Sequence, residues 1–247
     1  MNRSVQRVVL ARGYVLHQRP FRDSSLIVEA LTRDFGRLTL FAHAARGPRS
    51  RFGALQPFRA LLLSWSGRGE APSLSAAENA GPILTLPPAR LMSAFYLNEL
   101  LLKLLTRHDP HPQLFDQYEA TLAQLCAEAA IEAPLRGFEA RLLEYIGYGL
   151  NLAAEASSGE PVRSEARYHF RPGVHGFVIA EPGAPGSIAG VVLQRLALGV
   201  ALDGADELAQ ARSLMRAALD HCLEGRELTT RSVARALRRQ PRREHSS

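Results

Sequence analysis

The chain has almost no cysteine, and it has almost no lysine. Only two cysteines occur, Cys126 and Cys222, and they lie far apart in the sequence. Neither a disulfide framework nor a thiolate metal site is therefore indicated, and each cysteine is expected to act as a small buried apolar residue. Of the 30 basic residues only Lys103 is a lysine. That bias is typical of a GC-rich genome.

A long uninterrupted apolar segment is also missing. The densest apolar run, residues 91–105, is interrupted by Asn98, Glu99 and Lys103 and falls short of the roughly 18 apolar residues of a membrane span. It predicts a buried helix instead. The N-terminus leads into an alternating strand pattern rather than the apolar stretch of a signal peptide. We therefore expect a cytoplasmic protein.

Patterns that would indicate catalysis or metal binding are missing as well. Eight histidines are present, but no two have the i, i+4 spacing of a helical zinc pair. No glycine-rich nucleophile elbow and no phosphate-binding loop occur. We expect no catalytic residues, no metal and no cofactor.

Positive charge is concentrated at the two ends of the chain. Residues 1–70 contain 12 arginines and 4 acidic residues, residues 71–225 contain 11 basic and 18 acidic residues, and residues 226–247 contain 7 basic and 2 acidic residues. The formal charge of +6 thus hides two cationic ends around an anionic middle. A polyanion has two places to bind, although the C-terminal arginines are equally explained as a solubilising tail.

The first 80 residues predict a small β-barrel, because five short strand patterns are separated by turns. The hairpin between the second and third strands is expected at residues 33–36. The strands are expected at residues 8–16, 25–31, 37–42, 58–65 and 72–78. The third strand alternates between a core face with Leu38, Leu40 and Ala42 and an outer face with Arg37, Thr39, Phe41 and His43.

The rest of the chain predicts helices around one irregular module, so the fold class is α+β. The proline-containing stretch 81–88 is expected to link the barrel to the helices. Helices are expected at residues 89–107, 112–131, 134–146, 188–202, 205–223 and 229–239. The predicted division is a barrel domain at 1–80, a central helical domain at 81–150, an irregular insertion at 151–186 with a hairpin of 167–170 and 176–180, and C-terminal helices at 187–247 that complete the bundle and end in a basic tail.

The stretch Arg46-Gly47-Pro48-Arg49-Ser50-Arg51 predicts a nucleic-acid contact. It lies between two strand patterns, and its arginines have no acidic neighbour in sequence to pair with. Single strands are bound by cationic grooves with aromatic faces on which bases stack, and the barrel region is rich in rings. The alternative is that these rings, Phe41, Phe52, Phe58 and Trp65 among them, fill the barrel core.

Several segments of the chain, taken in order and spacing, resemble the bacterial recombination mediator family RecO. The resemblance covers nearly the whole chain. It rests on Tyr14-Val15-Leu16, Arg19-Pro20-Phe21-Arg22-Asp23-Ser24-Ser25-Leu26, Phe35-Gly36-Arg37, Ala45-Arg46-Gly47-Pro48-Arg49-Ser50, Gly53-Ala54-Leu55-Gln56-Pro57-Phe58, Gly67-Arg68-Gly69-Glu70, Tyr96-Leu97-Asn98-Glu99-Leu100-Leu101, Leu114-Phe115-Asp116-Gln117-Tyr118 and Ile146-Gly147-Tyr148-Gly149-Leu150.

The resemblance implies a five-stranded N-terminal OB-fold, an α-helical bundle and a small zinc-finger-like insertion. Some members of the family carry four cysteines in that insertion, and this chain has none between Cys126 and Cys222. The module is therefore expected to be metal-free. It is expected to depend on an apolar cluster of Tyr168, Phe170, Phe177 and Ile179.

The resemblance also implies the function of a non-catalytic mediator in DNA repair and recombination. Such a protein binds single- and double-stranded DNA, anneals strands coated by single-strand binding protein and, with RecR, promotes loading of RecA in the RecF pathway. Localisation in the cytoplasm, associated with the nucleoid, follows from that role. The residues that match for DNA contact are Arg22, Arg37, His43, Arg46, Arg49, Arg51 and Arg68, with His43 where many relatives have lysine.

A docking site for the acidic, apolar tail of single-strand binding protein is expected in the helical region. An apolar stripe edged by positive charge would fit such a tail, although the same leucines could simply be core. The candidate residues are Leu97, Leu101, Lys103, Leu105, Arg107, Arg136 and Arg141.

Two other classes of function compete with the mediator. An RNA-binding OB module without annealing activity would need only the basic barrel. A preference for RNA over DNA would depend on contacts to the 2′-hydroxyl. An enzyme with a catalytic helical domain would need a cluster of acid, base or nucleophile that the sequence does not contain.

Overall fold

The computed structural model describes residues 6–46, 50, 52, 55–82, 84–127, 131–174, 176–181 and 183–239. Strands and helices follow the order that the sequence predicts, apart from a short strand at residues 188–189. The strands are β1 (Gln6–Phe21), β2 (Ser25–Thr32), β3 (Gly36–Ala42), β4 (Ala60–Gly67), β5 (Ser73–Asn79), β6 (Arg167–Arg171), β7 (Gly176–Ile179) and β8 (Ile188–Ala189). The helices are α1 (Pro88–Leu104), α2 (Pro112–Cys126), α3 (Glu132–Tyr145), α4 (Gly190–Leu198), α5 (Gly204–Leu223) and α6 (Thr229–Arg239).

Strands β1 to β5 form a closed barrel in the order β1-β2-β3-β5-β4, and the predicted OB-fold is confirmed. β3 and β5 pair in parallel, with Phe41 opposite Ser73. The predicted alternation of β3 is also confirmed, because Leu38, Leu40 and Ala42 are buried while the residues between them are partly exposed. Closure removes the free sheet edges that would otherwise invite aggregation.

Strand β1 is longer than the sequence predicts, since it pairs with two neighbours along its length. Its first half pairs with β4 and its second half with β2. Two irregularities, between Val8 and Ala11 and between Val15 and His17, let one strand bend around the barrel. Pro20 hid the second half of the strand from sequence reasoning, because proline is usually excluded from sheet interiors.

The chain divides into two compact units, which are described separately. The first unit comprises residues 1–126 and 227–247 and contains the barrel with α1, α2 and α6. The second unit comprises residues 127–226 and contains α3, α4, α5 and the small sheet. The four-part division drawn from the sequence stays a prediction.

Buried polar groups join the helices of the first unit to β1. The Asn98 side-chain amide on α1 donates to the carbonyl of Leu16 at 2.8 Å, and the Tyr118 hydroxyl on α2 donates to Asn98 Oδ1 at 2.6 Å. The Tyr14 hydroxyl donates to Glu119 Oε1 at 2.7 Å. Burial and this hydrogen bond both raise the pKa of Tyr14. These contacts fix α1 and α2 against one side of the barrel.

The small sheet of the second unit has three strands in the order β7-β6-β8. The predicted hairpin is confirmed by pairs from Tyr168 opposite Ile179 to Arg171 opposite Gly176. The apolar cluster is only partly as predicted: Tyr168 and Phe177 are buried, but Ile179 is 51% exposed because it lies at the end of an edge strand. The helix predicted at 188–202 is wrong at both ends, since residues 188 and 189 form β8 and α4 stops before Gly199, which has a left-handed φ of 66°.

Candidate nucleic-acid interface

The two ends of the barrel differ in what surrounds them. At one end lie the turn from β1 to β2, the segment that follows β3 and the turn from β4 to β5. Register pairs bring these together, since Phe21 faces Ser25, and Phe41 pairs with Ser73 at the start of β5. We call residues 21–24, 43–46 and 68–72 the basic rim. The opposite end carries the β2–β3 hairpin and the α1–α2 loop and is called the helix end.

Acidic residues neutralise the arginines at the helix end. Arg33 binds both carboxylate oxygens of Asp116 on α2, from Nε at 2.9 Å and from Nη2 at 2.8 Å. Arg12 forms an ion pair with Glu119 at 2.6 Å. The hydrogen bond and the charge of Arg33 hold the pKa of Asp116 below its usual value. The guanidinium groups at this end are thus used for contacts within the protein.

Glu29 on β2 binds two further basic residues near the same end. It accepts from Arg37 at 3.1 Å and from Arg107 at 2.8 Å. Arg37 also donates to the carbonyl of Leu105 and is only 12% exposed. Among the residues predicted for DNA contact, Arg37 is therefore committed to holding the α1–α2 loop against β3.

The arginines of the basic rim differ from those of the helix end, because no described carboxylate pairs with them. Arg22, Arg46 and Arg68 are exposed, and within the described part of the chain none of the three forms an ion pair. The side chain of Arg46 reaches the backbone carbonyls of Arg22 and Asp23 at 3.4 Å, and its backbone nitrogen donates to the carbonyl of Ser24 at 2.9 Å. The segment after β3 is thereby tied to the β1–β2 turn, and three cations share one end of the barrel.

Aromatic rings accompany these cations. The ring of Phe41 lies 5.2 Å from that of Phe21 and 4.4 Å from that of His43. The guanidinium carbon of Arg22 lies 5.3 Å from the centre of the Phe21 ring. His43 is exposed, as the outer end of β3 requires. Phe21 was not among the site residues predicted from the sequence.

Two of the predicted contacts, Arg49 and Arg51, lie outside the described residues. The other rings of this region belong to the core. Phe52, Phe58 and Trp65 are buried, which decides between the two alternatives that the sequence left open for them. Phe52 and Trp65 pack in the interior of the barrel.

The predicted docking stripe on α1 is not an exposed groove. Leu97, Leu101 and Leu105 are buried, so their side chains are core, the alternative that the sequence left open. Lys103 donates to the carbonyl of Glu227 at 2.8 Å and lies 3.7 Å from Glu99. Arg107 is held by Glu29, as described above. A tail cannot lie along leucines that the fold already covers.

The two candidates on α3 belong to the second unit. Arg136 is buried and pairs with Glu139, and Arg141 pairs with Glu144 on the exposed side of the helix at 2.8 Å. Both are i, i+3 pairs within one helix. The positive edge predicted for the docking site is thus divided between the two units.

Metal and membrane sites were searched over the described residues. No group of three or more His, Cys, Asp or Glu among them is arranged to hold a metal ion. In the same part of the chain, no helix has both the length and the apolar character needed to cross a membrane.

Comparison with known proteins identifies two family matches that together span most of the chain. The model described as "Recombination protein O N terminal" matches residues 7–83, and the model described as "Recombination protein O C terminal" matches residues 88–231. The first match coincides with the barrel. The second begins at the first residue of α1 and extends into α6.

Relatives with the name DNA repair protein RecO align over nearly their full length. A protein of Alkalilimnicola ehrlichii is 49% identical over 242 residues, which cover 97% of this chain and 96% of the relative. A protein of Methylococcus capsulatus is 43% identical, covering 93% of this chain and 94% of the relative. A protein of Nitrosococcus oceani is 42% identical, with coverage of 94% and 95%.

Proposed function

The chain belongs to the RecO family of DNA repair and recombination proteins, and on that premise we propose that it anneals single strands of DNA through the basic rim of its barrel. The observation that carries the proposal is the difference between the two ends of the barrel. At the helix end, arginines pair with carboxylates, whereas Arg22, Arg46 and Arg68 at the basic rim are exposed without ion pairs among the described residues.

A phosphate backbone is the natural partner of such arginines. Each guanidinium that neutralises a phosphate releases condensed counterions, so the affinity falls as salt rises. An arginine already paired with a carboxylate contributes less, because binding DNA would first require that pair to break. The site therefore comprises Arg22, His43, Arg46 and Arg68. Arg49 and Arg51, between two of these positions in sequence, remain proposed contacts.

The position of the basic rim supports the same proposal. OB-folds bind oligonucleotides on the face of strands 2 and 3 and at the loops that join strands 1–2 and 4–5. Here those loops carry Arg22 and Arg68, Phe41 lies on the outer face of β3, and His43 comes directly after the strand. The residues proposed for DNA contact thus occupy the part of the barrel that such folds use for nucleic acids.

The proposed role requires partners rather than catalysis. We propose that the protein acts on DNA coated by single-strand binding protein, works with RecR, and promotes the loading of RecA in the RecF pathway. It binds double-stranded as well as single-stranded DNA and breaks no covalent bond. Its place is the cytoplasm, associated with the nucleoid. The tail of single-strand binding protein contacts a surface other than the covered leucines of α1.

The test is annealing of two complementary fluorescent oligonucleotides that are each precoated with the cognate single-strand binding protein. The wild type is compared with a variant that has Arg22, Arg46 and Arg68 all changed to Ala. A matched variant has Arg171, Arg212 and Arg216 changed to Ala, because these three are exposed in the second unit. Both variants remove three positive charges.

We expect annealing by the wild type and by the matched variant, and loss of annealing in the rim variant. An equal loss in both variants would mean that total charge, rather than the rim, is responsible. Salt-sensitive binding of DNA without annealing by the wild type would contradict the mediator role. In that case tighter binding of RNA than of DNA would support the alternative of an RNA-binding OB module.

A further inference from the structure

We propose that Phe21, Phe41 and His43 form a stacking subsite for the bases of single-stranded DNA, beside the arginines of the basic rim. The inference rests on the proposed function, since it divides the same interface into a part for phosphates and a part for bases. The subsite would favour single-stranded over double-stranded DNA. Base faces are accessible in a single strand, whereas in a duplex a base must first leave the stack.

Strand register places these rings on the outer surface of the barrel. Leu40 and Ala42 of β3 point into the core, so Phe41, which alternates with them, lies on the other face. His43 follows the end of the strand, and its ring lies 4.4 Å from that of Phe41. Phe41 pairs with Ile27 of β2, and Ile27 pairs with Arg19 of β1. The ring of Phe41 and the cation of Arg19 therefore lie on the same outer face, with Ile27 between them.

The rings hold one another in fixed orientations. Phe41 lies between Phe21 and His43, with interplanar angles of 82° and 72°, and such edge-to-face contacts are favourable arrangements for aromatic pairs. Phe21 and Phe41 are half-buried, and His43 is exposed. A ring whose orientation is already fixed loses little side-chain freedom when a base stacks on it.

A cation lies next to the rings. The Arg22 guanidinium is placed over Phe21, and guanidinium planes also stack on bases in single-stranded nucleic acids. The Arg46 side chain donates to the carbonyls of Arg22 and Asp23, which holds the turn in place. Bases and phosphates alternate along a single strand, so a surface that offers rings and cations side by side matches that repeat.

The barrel core does not account for these rings. Its buried cluster includes Phe52 and Trp65. Phe21 and Phe41 do not belong to that cluster, and among the described residues their ring contacts are to each other, to His43 and to Arg22. The three rings therefore do not fill the barrel interior, and their position beside exposed arginines suits them to bind the bases of a single strand.

The experiment compares three DNA probes of equal phosphate number: a normal single strand, a strand of abasic residues and a duplex. Affinities are measured by fluorescence anisotropy at one salt concentration. We expect the wild type to bind the normal strand about 5- to 140-fold more tightly than the abasic strand, the range of one stacked base. His43→Ala lowers that ratio, because it weakens binding of the normal single strand more than it weakens binding of the abasic strand or the duplex.

Two further substitutions at His43 separate the effect of a ring from that of a charge. His43→Tyr increases the ratio, because it enlarges the ring without adding a cation. His43→Lys raises the affinity for all three probes and lowers the ratio. Since His43 is exposed, these variants leave the core untouched. Phe41→Leu is expected to lower the ratio further, with Phe170→Leu in the second unit as a control that removes a ring elsewhere.

Equal affinity of the wild type for the normal and abasic strands would overturn the subsite. So would a ratio unchanged by both His43→Ala and Phe41→Leu. Neither result would affect the proposed function if annealing and salt-sensitive binding persist. Failure of the wild type to bind any of the three probes would instead contradict the proposed function itself.

Discussion

Gly36 and Asp109 are in direct backbone contact: a side chain on Gly36 would overlap the carbonyl group of Asp109. Gly36 also has a left-handed φ of 68°, which side chains disfavour. The backbone nitrogen of His108 donates to the carbonyl of Arg37 at 2.8 Å in the same region. The β2–β3 hairpin thus packs against the loop between α1 and α2, and the close approach of Gly36 to Asp109 requires glycine at position 36.

Gly36→Ala is accordingly expected to destabilise the first unit by about 3 kcal/mol, from the left-handed backbone together with the overlap. Gly69→Ala is the control. Gly69 also has a positive φ, of 94°, but nothing lies within 4 Å of an added Cβ. Urea unfolding followed by circular dichroism measures both. Equal destabilisation by the two substitutions would show that the contact with Asp109 has no energetic role.

Arg46 and Arg33 are expected to differ in their effect on DNA binding, although both are surface arginines of the barrel. Arg46→Ala should reduce the slope of log affinity against log salt for single strands by about 0.7, the contribution of one phosphate contact. Arg33→Ala should leave the slope unchanged, because Arg33 is paired with Asp116. Titrations between roughly 50 and 200 mM salt give the slopes. A reduced slope for Arg33→Ala would place DNA at the helix end as well.

Glu139 and Glu144 offer a matched pair of substitutions on α3. Each forms an ion pair at 2.8 Å with an arginine three residues earlier. Arg136 and Glu139 are buried, whereas Arg141 and Glu144 are more than half exposed. Glu139→Ala should cost about 3–5 kcal/mol, because it leaves Arg136 buried without this carboxylate. Glu144→Ala should cost less than about 1 kcal/mol.

Denaturant unfolding of the two variants tests this difference. Replacing Arg136 and Glu139 together by Met and Leu should restore much of the stability lost in Glu139→Ala, since no buried charge is then left behind. Similar costs for Glu139→Ala and Glu144→Ala would mean that the pair on the buried side of α3 is hydrated in solution.

Glu99 makes the attachment of α6 to α1 dependent on pH. Its carboxylate accepts from the backbone nitrogens of Thr229 and Thr230 at 2.8 and 2.9 Å, and from the Thr230 hydroxyl at 2.7 Å. Burial opposes ionisation, but these hydrogen bonds and the charge of Lys103 outweigh it, so the pKa of Glu99 is lowered. The ionised group also caps the first turn of α6, where the helix dipole favours negative charge.

A lowered pKa in the folded state means that Glu99 stabilises the fold above the unfolded value of about 4.3, and that this contribution is lost as the pH falls through the lower folded value. Glu99→Gln should therefore cost about 1 kcal/mol at pH 7, and the difference from wild type should shrink below about pH 4. Thermal unfolding of both proteins at a series of pH values measures this difference in stability. A difference that is constant from pH 7 to pH 3 would contradict this assignment.

Local patterns predicted most of the secondary structure because they depend on near neighbours. The alternation of β3 and the barrel of five strands followed from apolar residues at every second position and from turn residues between them. The same reasoning failed where a segment depends on distant partners. The second half of β1 is a strand because β2 pairs with it despite Pro20, and residues 188 and 189 are a strand because β6 pairs with them.

The candidate interface was also predicted only in part. The resemblance to the RecO family suggested Arg22, His43, Arg46 and Arg68 as DNA contacts, and all four are exposed. The same resemblance suggested Arg37. Its contacts with Glu29 and with the carbonyl of Leu105, 68 residues away, are invisible in the sequence around it.

The sequence by itself determined the family of this protein, the order of its strands and helices, and the concentration of arginine in its barrel. The family follows from the order and spacing of the segments that resemble RecO, whereas the strands, helices and arginine content follow from composition and short-range periodicity. Only the tertiary structure decided which arginines are exposed and form no ion pair with any described residue, and which are bound by Asp116, Glu119 and Glu29. The physical reason is that an arginine already bound to a carboxylate contributes less to phosphate binding, and whether a carboxylate is near depends on how the helices pack against the barrel.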